Sequence, residues 1–119
     1  MGDNVLVFVE GTIYAGQLDN LKALISEMVE AFKRDELGTL NYEWFLADDG
    51  KSVHVYERYA DSEAYVGHLR SFGETYAERC FTQMTVTKLA IYGHPSDMVR
   101  EVLANSAPIY MSPYDGIAR

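Results

Sequence analysis

The chain has 119 residues, of which 48% are hydrophobic and 24% charged, a composition typical of one folded domain and not of a disordered segment. Its 18 acidic and 10 basic residues give a net charge of −8, which argues against nucleic acid and anionic membranes as partners, because both are bound through basic patches. A single cysteine rules out an internal disulfide, and without a secretory signal or a long apolar run we expect a cytoplasmic protein.

The first half of the chain predicts a strand, a helix and a hairpin. Residues 4–14 are rich in β-branched side chains and favour a strand. The apolar positions that follow recur at steps of three and four, as on one face of a helix: Leu18, Leu21, Ile25, Met28 and Phe32. Residues 39–48 and 51–60 alternate in polarity around Asp49-Gly50, which predicts two strands joined by a two-residue loop.

The second half adds a helix, a strand and an extension. Asp61 or Ser62 starts a helix whose inner stripe is Tyr65, His68, Leu69 and Phe72, and Gly73 is expected to break or kink it. Residues 81–93 favour a strand. The order β-α-β-β-α-β over residues 4–93 predicts a ferredoxin-like α+β domain with both helices on one face of an antiparallel sheet. Residues 94–119 extend this single domain by a short helix and an edge strand.

The hairpin predicts a sheet with two different faces. If Asp49 and Gly50 form the loop, facing residues have numbers that sum to 99, and alternate pairs point to opposite sides. The apolar face would hold Leu40/Tyr59, Tyr42/Glu57, Trp44/Val55 and Leu46/Val53. The mixed face would hold Asn41/Arg58, Glu43/Tyr56, Phe45/His54 and Ala47/Ser52. We expect the apolar face to lie under the helices and the mixed face to meet a second sheet.

Glu57 is the exception on the apolar face, because a buried carboxylate needs a partner or gives up its charge. Tyr42 lies across from it, and His68 projects from the second helix towards the same space, where Trp44 and Tyr59 also point. Polar groups in an aromatic setting are typical of a ligand cleft. A histidine beside a carboxylate can take a proton from a phenol or hydroquinone near pH 7. The alternative is a buried network in which Glu57, Tyr42 and His68 satisfy only one another.

Other kinds of site have little support. The three histidines, His54, His68 and His94, do not match any familiar ligand spacing, so no metal is expected. Cys80 is interpreted as a small buried hydrophobe. The chain lacks phosphate-binding glycine motifs and a serine nucleophile motif, and we expect no cofactor.

The chain resembles the antibiotic biosynthesis monooxygenase (ABM) superfamily of dimeric α+β barrels. The residues that carry the resemblance are Gly38-Thr39-Leu40, "YEWF" at 42–45, "DG" at 49–50, "VYERYAD" at 55–61 and "AYVGHL" at 64–69. Known members include cofactor-independent monooxygenases that oxidise phenolic polyketides or quinols with O₂. The resemblance implies a homodimer whose two sheets form a barrel, with one cleft per subunit between sheet and helices.

Carried onto this chain, the resemblance implies His68 as the catalytic base and Glu57 as the group that orients it. The side chains expected to line the pocket for a small aromatic or apolar ligand are Tyr42, Trp44, Tyr59, Tyr65 and Phe72. Those expected at the dimer interface are Asn41, Glu43, His54, Tyr56 and Arg58. The competing interpretation is a non-catalytic dimeric module of the same fold.

Two departures from the family pattern bear on the chemistry. Haem-degrading relatives have an Asn on the first strand and a Trp and a ligating His in or after the second helix, where this chain has "VFVEGT", His68 and Glu78, so haem is not expected. Many quinol-type members carry a second His shortly after the first, where this chain reads "SFGE" at 71–74.

Overall fold

The computed structural model describes residues 2–119. The elements in chain order are β1 (Val5–Ile13), α1 (Leu18–Asp35), β2 (Thr39–Leu46), β3 (Ser52–Tyr59), α2 (Ser62–Thr75), α3 (Ala77–Cys80), β4 (Met84–Tyr92), α4 (Asp97–Val102) and β5 (Ile109–Met111). They form one sheet in the order β2-β3-β1-β4-β5, in which β5 runs parallel to β4 and the other neighbours are antiparallel. The α+β class and the ferredoxin-like order are confirmed.

The helices bury their apolar stripes on one face of the sheet in two adjoining clusters. In α1 the buried residues are Leu21, Leu24, Met28 and Phe32. Leu24, which was not predicted in this stripe, is more deeply buried than the predicted Leu18 and Ile25, which are only partly buried. The second cluster joins α2 and α4 to β1 and β3 through Tyr59, Tyr65, Val66, Val99 and Leu103, among others. Both clusters border the space that receives His68.

The hairpin register is as predicted from Asn41 opposite Arg58 to Leu46 opposite Val53. A β-bulge before Asn41 pairs Thr39, not Leu40, with Tyr59. The extra residue of a bulge is left unpaired, and Leu40 is 43% exposed, so its predicted place on the apolar face is wrong.

The predicted two-residue loop is also wrong, because the connection spans residues 47–51. A tight turn of the predicted kind needs positive φ at both central residues. Only Gly50 has one here, at 69°. The loop is held by the Gly50 N–H, which donates to the Ala47 carbonyl at 2.9 Å, and by the Lys51 N–H, which donates to the Asp49 carboxylate at 2.9 Å.

Helix α2 begins where the sequence predicts but ends later than expected. The Asp61 carboxylate accepts the Ala64 N–H at 2.9 Å and caps the helix. The helix continues through Gly73 to Thr75 and ends at Tyr76. A glycine inside a helix costs only about 1 kcal/mol relative to alanine, and the packing of α2 outweighs that cost. The predicted break at Gly73 is therefore wrong.

The C-terminal extension packs onto the core as a β4-α4-β5 crossover. The Ser96 hydroxyl accepts the Val99 N–H at 3.4 Å, and Val99 is fully buried. The short edge strand is confirmed as β5, and the Arg100 guanidinium lies 4.0 Å from the centre of the Tyr110 ring. Within residues 2–119, no helix is long and apolar enough to cross a membrane.

Gly11 marks the closest approach of β1 to β4. A methyl group there would lie 2.5 Å from Met84 Cε and 2.7 Å from the Thr85 carbonyl oxygen, so β4 would have to move. We expect Gly11→Ala to lower the free energy of unfolding by about 1–3 kcal/mol, as overpacking does, measured by urea denaturation.

The matched control is Gly67→Ala in α2, where a methyl group meets no atom of residues 2–119 within 4 Å. It should raise the free energy of unfolding by about 0.5–1 kcal/mol, because alanine is the better helix former. A Gly11→Ala protein with the wild-type denaturation midpoint would show that the two strands are not in this close contact.

Candidate active site

His68 lies between two carboxylates beneath the sheet. Helix α2 directs its side chain inwards, where the residue is 4% exposed. Its Nδ1 is 2.9 Å from Glu36 Oε1, and its Nε2 is 3.8 Å from Glu57 Oε1. The first distance is that of a hydrogen bond, whereas the second is too long for one.

Glu57 reaches this position from the inward face of β3, where it is 7% exposed. Tyr59 lies two residues further on the same face, as the strand period requires, and its hydroxyl donates to Glu57 Oε1 at 2.5 Å. The predicted neighbour Tyr42 directs its hydroxyl towards Met28 Sδ instead, at 3.9 Å. Burial raises the pKa of Glu57, while the nearby His68 and the hydrogen bond from Tyr59 act in the opposite direction.

Sequence reasoning missed Glu36. It caps the C-terminal end of α1, and its Oε1 also accepts the Thr39 hydroxyl at 2.8 Å. Its partner His68 is 32 residues away, so no helical or strand period connects them. The feature of the sequence that could have pointed to this contact is Gly38, which lets the turn after α1 pack directly on α2. A methyl group at Gly38 would lie 2.6 Å from Ala64 Cβ.

Aromatic rings surround the imidazole. Phe32, Tyr42 and Tyr59 have ring centres 4.7–5.2 Å from it, and Phe72 stacks at 6.4 Å. Burial, followed by the charge of Glu57, holds the pKa values of Tyr42, Tyr59 and Tyr65 above the ordinary value of 10. These phenols therefore stay protonated at neutral pH.

A cavity of about 480 Å³ opens beside this cluster. Its volume falls within the range of small-molecule sites, about 300–1,000 Å³, and its lining is mostly apolar. The predicted residues that line it are Tyr42, Trp44, Glu57, Tyr65, His68 and Phe72. Tyr59, which was also predicted to line the pocket, is not among the lining residues and stands behind Glu57 and His68.

The cavity wall also includes residues that were not among those predicted to line it. Val102, Leu103 and Ser106 of the C-terminal extension line it, as does Cys80. Burial raises the pKa of the Cys80 thiol to about 11, so it stays protonated at neutral pH, in keeping with its interpretation as a small buried hydrophobe. The extension therefore forms part of the site.

The five residues predicted at the dimer interface lie on the opposite face of the sheet, away from His68. Arg58 donates to Asn41 Oδ1 at 2.8 Å, and Asn41 donates to Glu43 at 2.9 Å. His54 Nε2 lies 3.7 Å from the Glu10 carboxylate. Phe45, in the same face, is 54% exposed.

Comparison with known proteins decides the family. The sequence model described as "Antibiotic biosynthesis monooxygenase" matches residues 4–78, which is 75 of the 119 residues. The chain belongs to the antibiotic biosynthesis monooxygenase family. No curated protein sequence matches it.

Solved structures show the same ABM fold at low sequence identity. MupZ from Pseudomonas fluorescens is similar over 99% of this chain and 96% of its own, with 22% identity and a TM-score of 0.88. SnoaB, a cofactor-independent oxygenase from Streptomyces nogalater, has 15% identity over 80% of this chain and 96% of its own, with a TM-score of 0.67. Rv0793 from Mycobacterium tuberculosis has 22% identity over 79% of this chain and 97% of its own, with a TM-score of 0.66. The similarity to MupZ therefore includes the C-terminal extension.

The raised pKa of Glu57 gives the stability of this ABM domain a pH dependence of definite sign. The folded protein binds this proton more tightly than the unfolded chain, where the pKa is near 4.5. The stability that Glu57 contributes is therefore fully present below pH 4.5 and is lost as the pH rises through the higher pKa of the folded state.

We expect the free energy of unfolding of the wild type to fall relative to that of Glu57→Gln as the pH rises above 4.5, measured by urea denaturation at a series of pH values. Glu74→Gln, an exposed change on α2, is the control and should give a curve parallel to the wild type. A Glu57→Gln curve that is also parallel to the wild type would contradict the raised pKa.

Proposed function

We propose that this ABM protein is a cofactor-independent monooxygenase that oxidises a small phenolic or quinol-like substrate with O₂. The observation that carries the proposal is a buried imidazole held between two carboxylates at the wall of a largely apolar cavity of about 480 Å³. An apolar, aromatic lining suits a flat aromatic ligand, and the imidazole supplies a base.

In the proposed reaction, His68 Nε2 takes the proton of a substrate hydroxyl. The resulting phenolate or quinolate is electron-rich and reduces O₂ itself. One oxygen atom enters the substrate, and the other leaves as water with two hydrogens that the substrate has lost. Glu57 stabilises the imidazolium that forms, and Tyr42 and Trp44 hold the ring. Membership of the ABM family and the structural likeness to SnoaB, a cofactor-independent oxygenase, support this choice of chemistry.

A second candidate is acid–base catalysis without O₂. The pKa of Glu57 is raised, so this carboxyl can donate a proton as well as accept one, and His68 stands beside it as the matching base. Such a pair suits an isomerisation or elimination, in which a proton leaves one atom of the substrate and another is delivered elsewhere. Substrate turnover without oxygen uptake would favour this candidate.

The test is oxygen consumption with a panel of hydroquinones and anthrones. We expect measurable uptake by the wild type and a loss of about 10²–10⁴-fold in rate for His68→Ala, the usual contribution of a positioned base. His94→Ala, which changes an exposed histidine, is the matched control and should keep the wild-type rate. If no compound is oxidised, or if His68→Ala turns over as fast as the wild type, the monooxygenase proposal fails. Binding of the panel without any turnover would favour the non-catalytic module.

We also propose that the protein is a homodimer in which the mixed faces of two sheets meet. The face combines exposed aromatic groups with paired polar side chains, including Phe45 and the Arg58–Asn41–Glu43 chain of hydrogen bonds. Aromatic side chains and arginine are enriched at protein interfaces. The ABM family membership supports the same arrangement.

Phe45→Asp should convert the dimer into monomers at micromolar concentration, because it places a charge in the centre of the proposed interface. The measurement is sedimentation equilibrium. Leu37→Asp, an equally apolar-to-acidic change at an exposed position beyond α1, is the control and should remain dimeric. A wild-type protein that sediments as a monomer would contradict the interface.

A further inference from the structure

We propose that Glu36 is the positioning residue of the site: it holds His68 in the tautomer with the proton on Nδ1 and leaves Nε2 to exchange a proton with Glu57 or a ligand. The inference rests on the proposed role of His68 as base, and it assigns to Glu36 the orienting role that the family resemblance gave to Glu57.

The two carboxylates are not equivalent in geometry. Glu36 Oε1 lies 2.9 Å from Nδ1, at full hydrogen-bond distance, whereas Glu57 Oε1 lies 3.8 Å from Nε2. Glu36 is itself fixed, because the Thr39 hydroxyl donates to the same oxygen at 2.8 Å and the backbone N–H of Glu36 donates to the Phe32 carbonyl at 2.9 Å. Glu57 takes its own hydrogen bond from Tyr59.

The tautomer follows from what each atom can donate. An ionised carboxylate only accepts hydrogen bonds, so the ring nitrogen that faces Glu36 must carry the hydrogen. In the neutral ring the other nitrogen, Nε2, then has a free lone pair. Nε2 lies on the side of Glu57, which lines the cavity together with His68. Nε2, the nitrogen that can accept a proton, is therefore on the cavity side of the ring, and Glu36 is on the other side.

The fold places Glu36 there at a cost, which argues that the contact matters. Glu36 caps the C-terminal end of α1, an 18-residue helix, where a negative side chain meets the negative end of the helix dipole. Glu36 nevertheless keeps its hydrogen bond to His68 at this position. The other oxygen, Oε2, is buried and finds no hydrogen-bond partner among residues 2–119.

The titratable groups that face the imidazole come from two strands and the turn after α1: Glu36, Tyr42 of β2, and Glu57 and Tyr59 of β3. Tyr65 of α2 packs against Tyr59. When Nε2 accepts a proton from the ligand, the imidazolium lies between the two carboxylates. Glu36 keeps its hydrogen bond to Nδ1, and the proton on Nε2 is delivered to the oxygen atom that leaves as water, which returns His68 to its starting form. The proton that is transferred in the reaction thus moves only through Nε2, on the cavity side of the ring.

The first test reads the tautomer directly and needs no substrate. In ¹⁵N-detected NMR of the full chain at pH 8, we expect His68 of the wild type in the Nδ1–H form. Glu36→Leu removes the acceptor and should shift His68 to the Nε2–H form. Glu36→Gln keeps an acceptor oxygen and should retain Nδ1–H, which also covers the case that Glu36→Leu does not fold. The control is Glu30→Gln, an exposed carboxylate of the same helix.

The second test uses a substrate found by oxygen uptake. Glu36→Leu should lower kcat by about 10- to 100-fold, comparable to the loss when a group that orients a metal-bound histidine is changed, while KM stays within about two-fold. Glu36→Gln, which keeps the acceptor oxygen, should retain most of the wild-type kcat. A merely structural role would move KM and stability and would leave the tautomer as it is.

The outcomes separate the two proposals. A wild-type His68 in the Nε2–H form, or a Glu36→Leu protein that keeps Nδ1–H, would overturn the role of Glu36 even if His68→Ala is inactive. A His68→Ala protein that keeps the wild-type rate would instead overturn the proposed function, whatever the tautomer. A kcat unchanged in Glu36→Leu counts against the positioning role.

Discussion

The hydrogen bond between Glu36 and His68 joins parts of the chain that no local pattern connects. It ties the end of α1 to the middle of α2, and His68 in turn approaches Glu57 on β3. A buried carboxylate without a partner would cost several kcal/mol, so the position of each element depends on the others. Gly38 supports this arrangement, because only a residue without a side chain lets the turn after α1 rest on Ala64. The polar cluster thus fixes how both long helices lie on the sheet.

Much of this arrangement follows from periodicity in the sequence. Alternation along β2 and β3 places Glu57 under the helices, and helical spacing places His68 opposite it. The hairpin register is correct except at the bulge, since pairing sums say nothing about an unpaired residue such as Leu40. Glu36 escaped prediction because its role depends on how α1 ends against α2. The hydroxyl that donates to Glu57 is that of Tyr59 and not that of Tyr42. The strand register alone does not distinguish the two, because the pairing depends on how far and in which direction each side chain extends.

The C-terminal extension adds to the candidate site residues that lie outside the family match. Residues 4–78 account for the family match and supply His68 and Glu57, whereas Val102, Leu103 and Ser106 close the far side of the cavity. Residues 1–93 make up about 78% of the chain (93 of 119). The similarity to SnoaB and to Rv0793 covers nearly the same share of this chain, whereas the similarity to MupZ covers 99% of it. His68 and Glu57 therefore lie within the residues that the family model matches, whereas part of the cavity lining comes from Val102, Leu103 and Ser106, which that model does not cover.

The atoms of the polar cluster that lack a hydrogen-bond partner bear on whether the cluster is only a buried network or also binds a ligand. Glu57 and Tyr59 satisfy each other, and Glu36 satisfies His68 and Thr39. Two atoms of this region stay open: Glu36 Oε2, and the indole N–H of Trp44, which is buried and makes no hydrogen bond of good geometry in residues 2–119, although it lies near the Tyr42 hydroxyl. The Trp44 side chain lines the cavity. Buried donors in native proteins are rarely left unpaired. A ligand with a carbonyl or hydroxyl oxygen near Trp44 would satisfy this donor, while its acidic hydroxyl meets His68 Nε2.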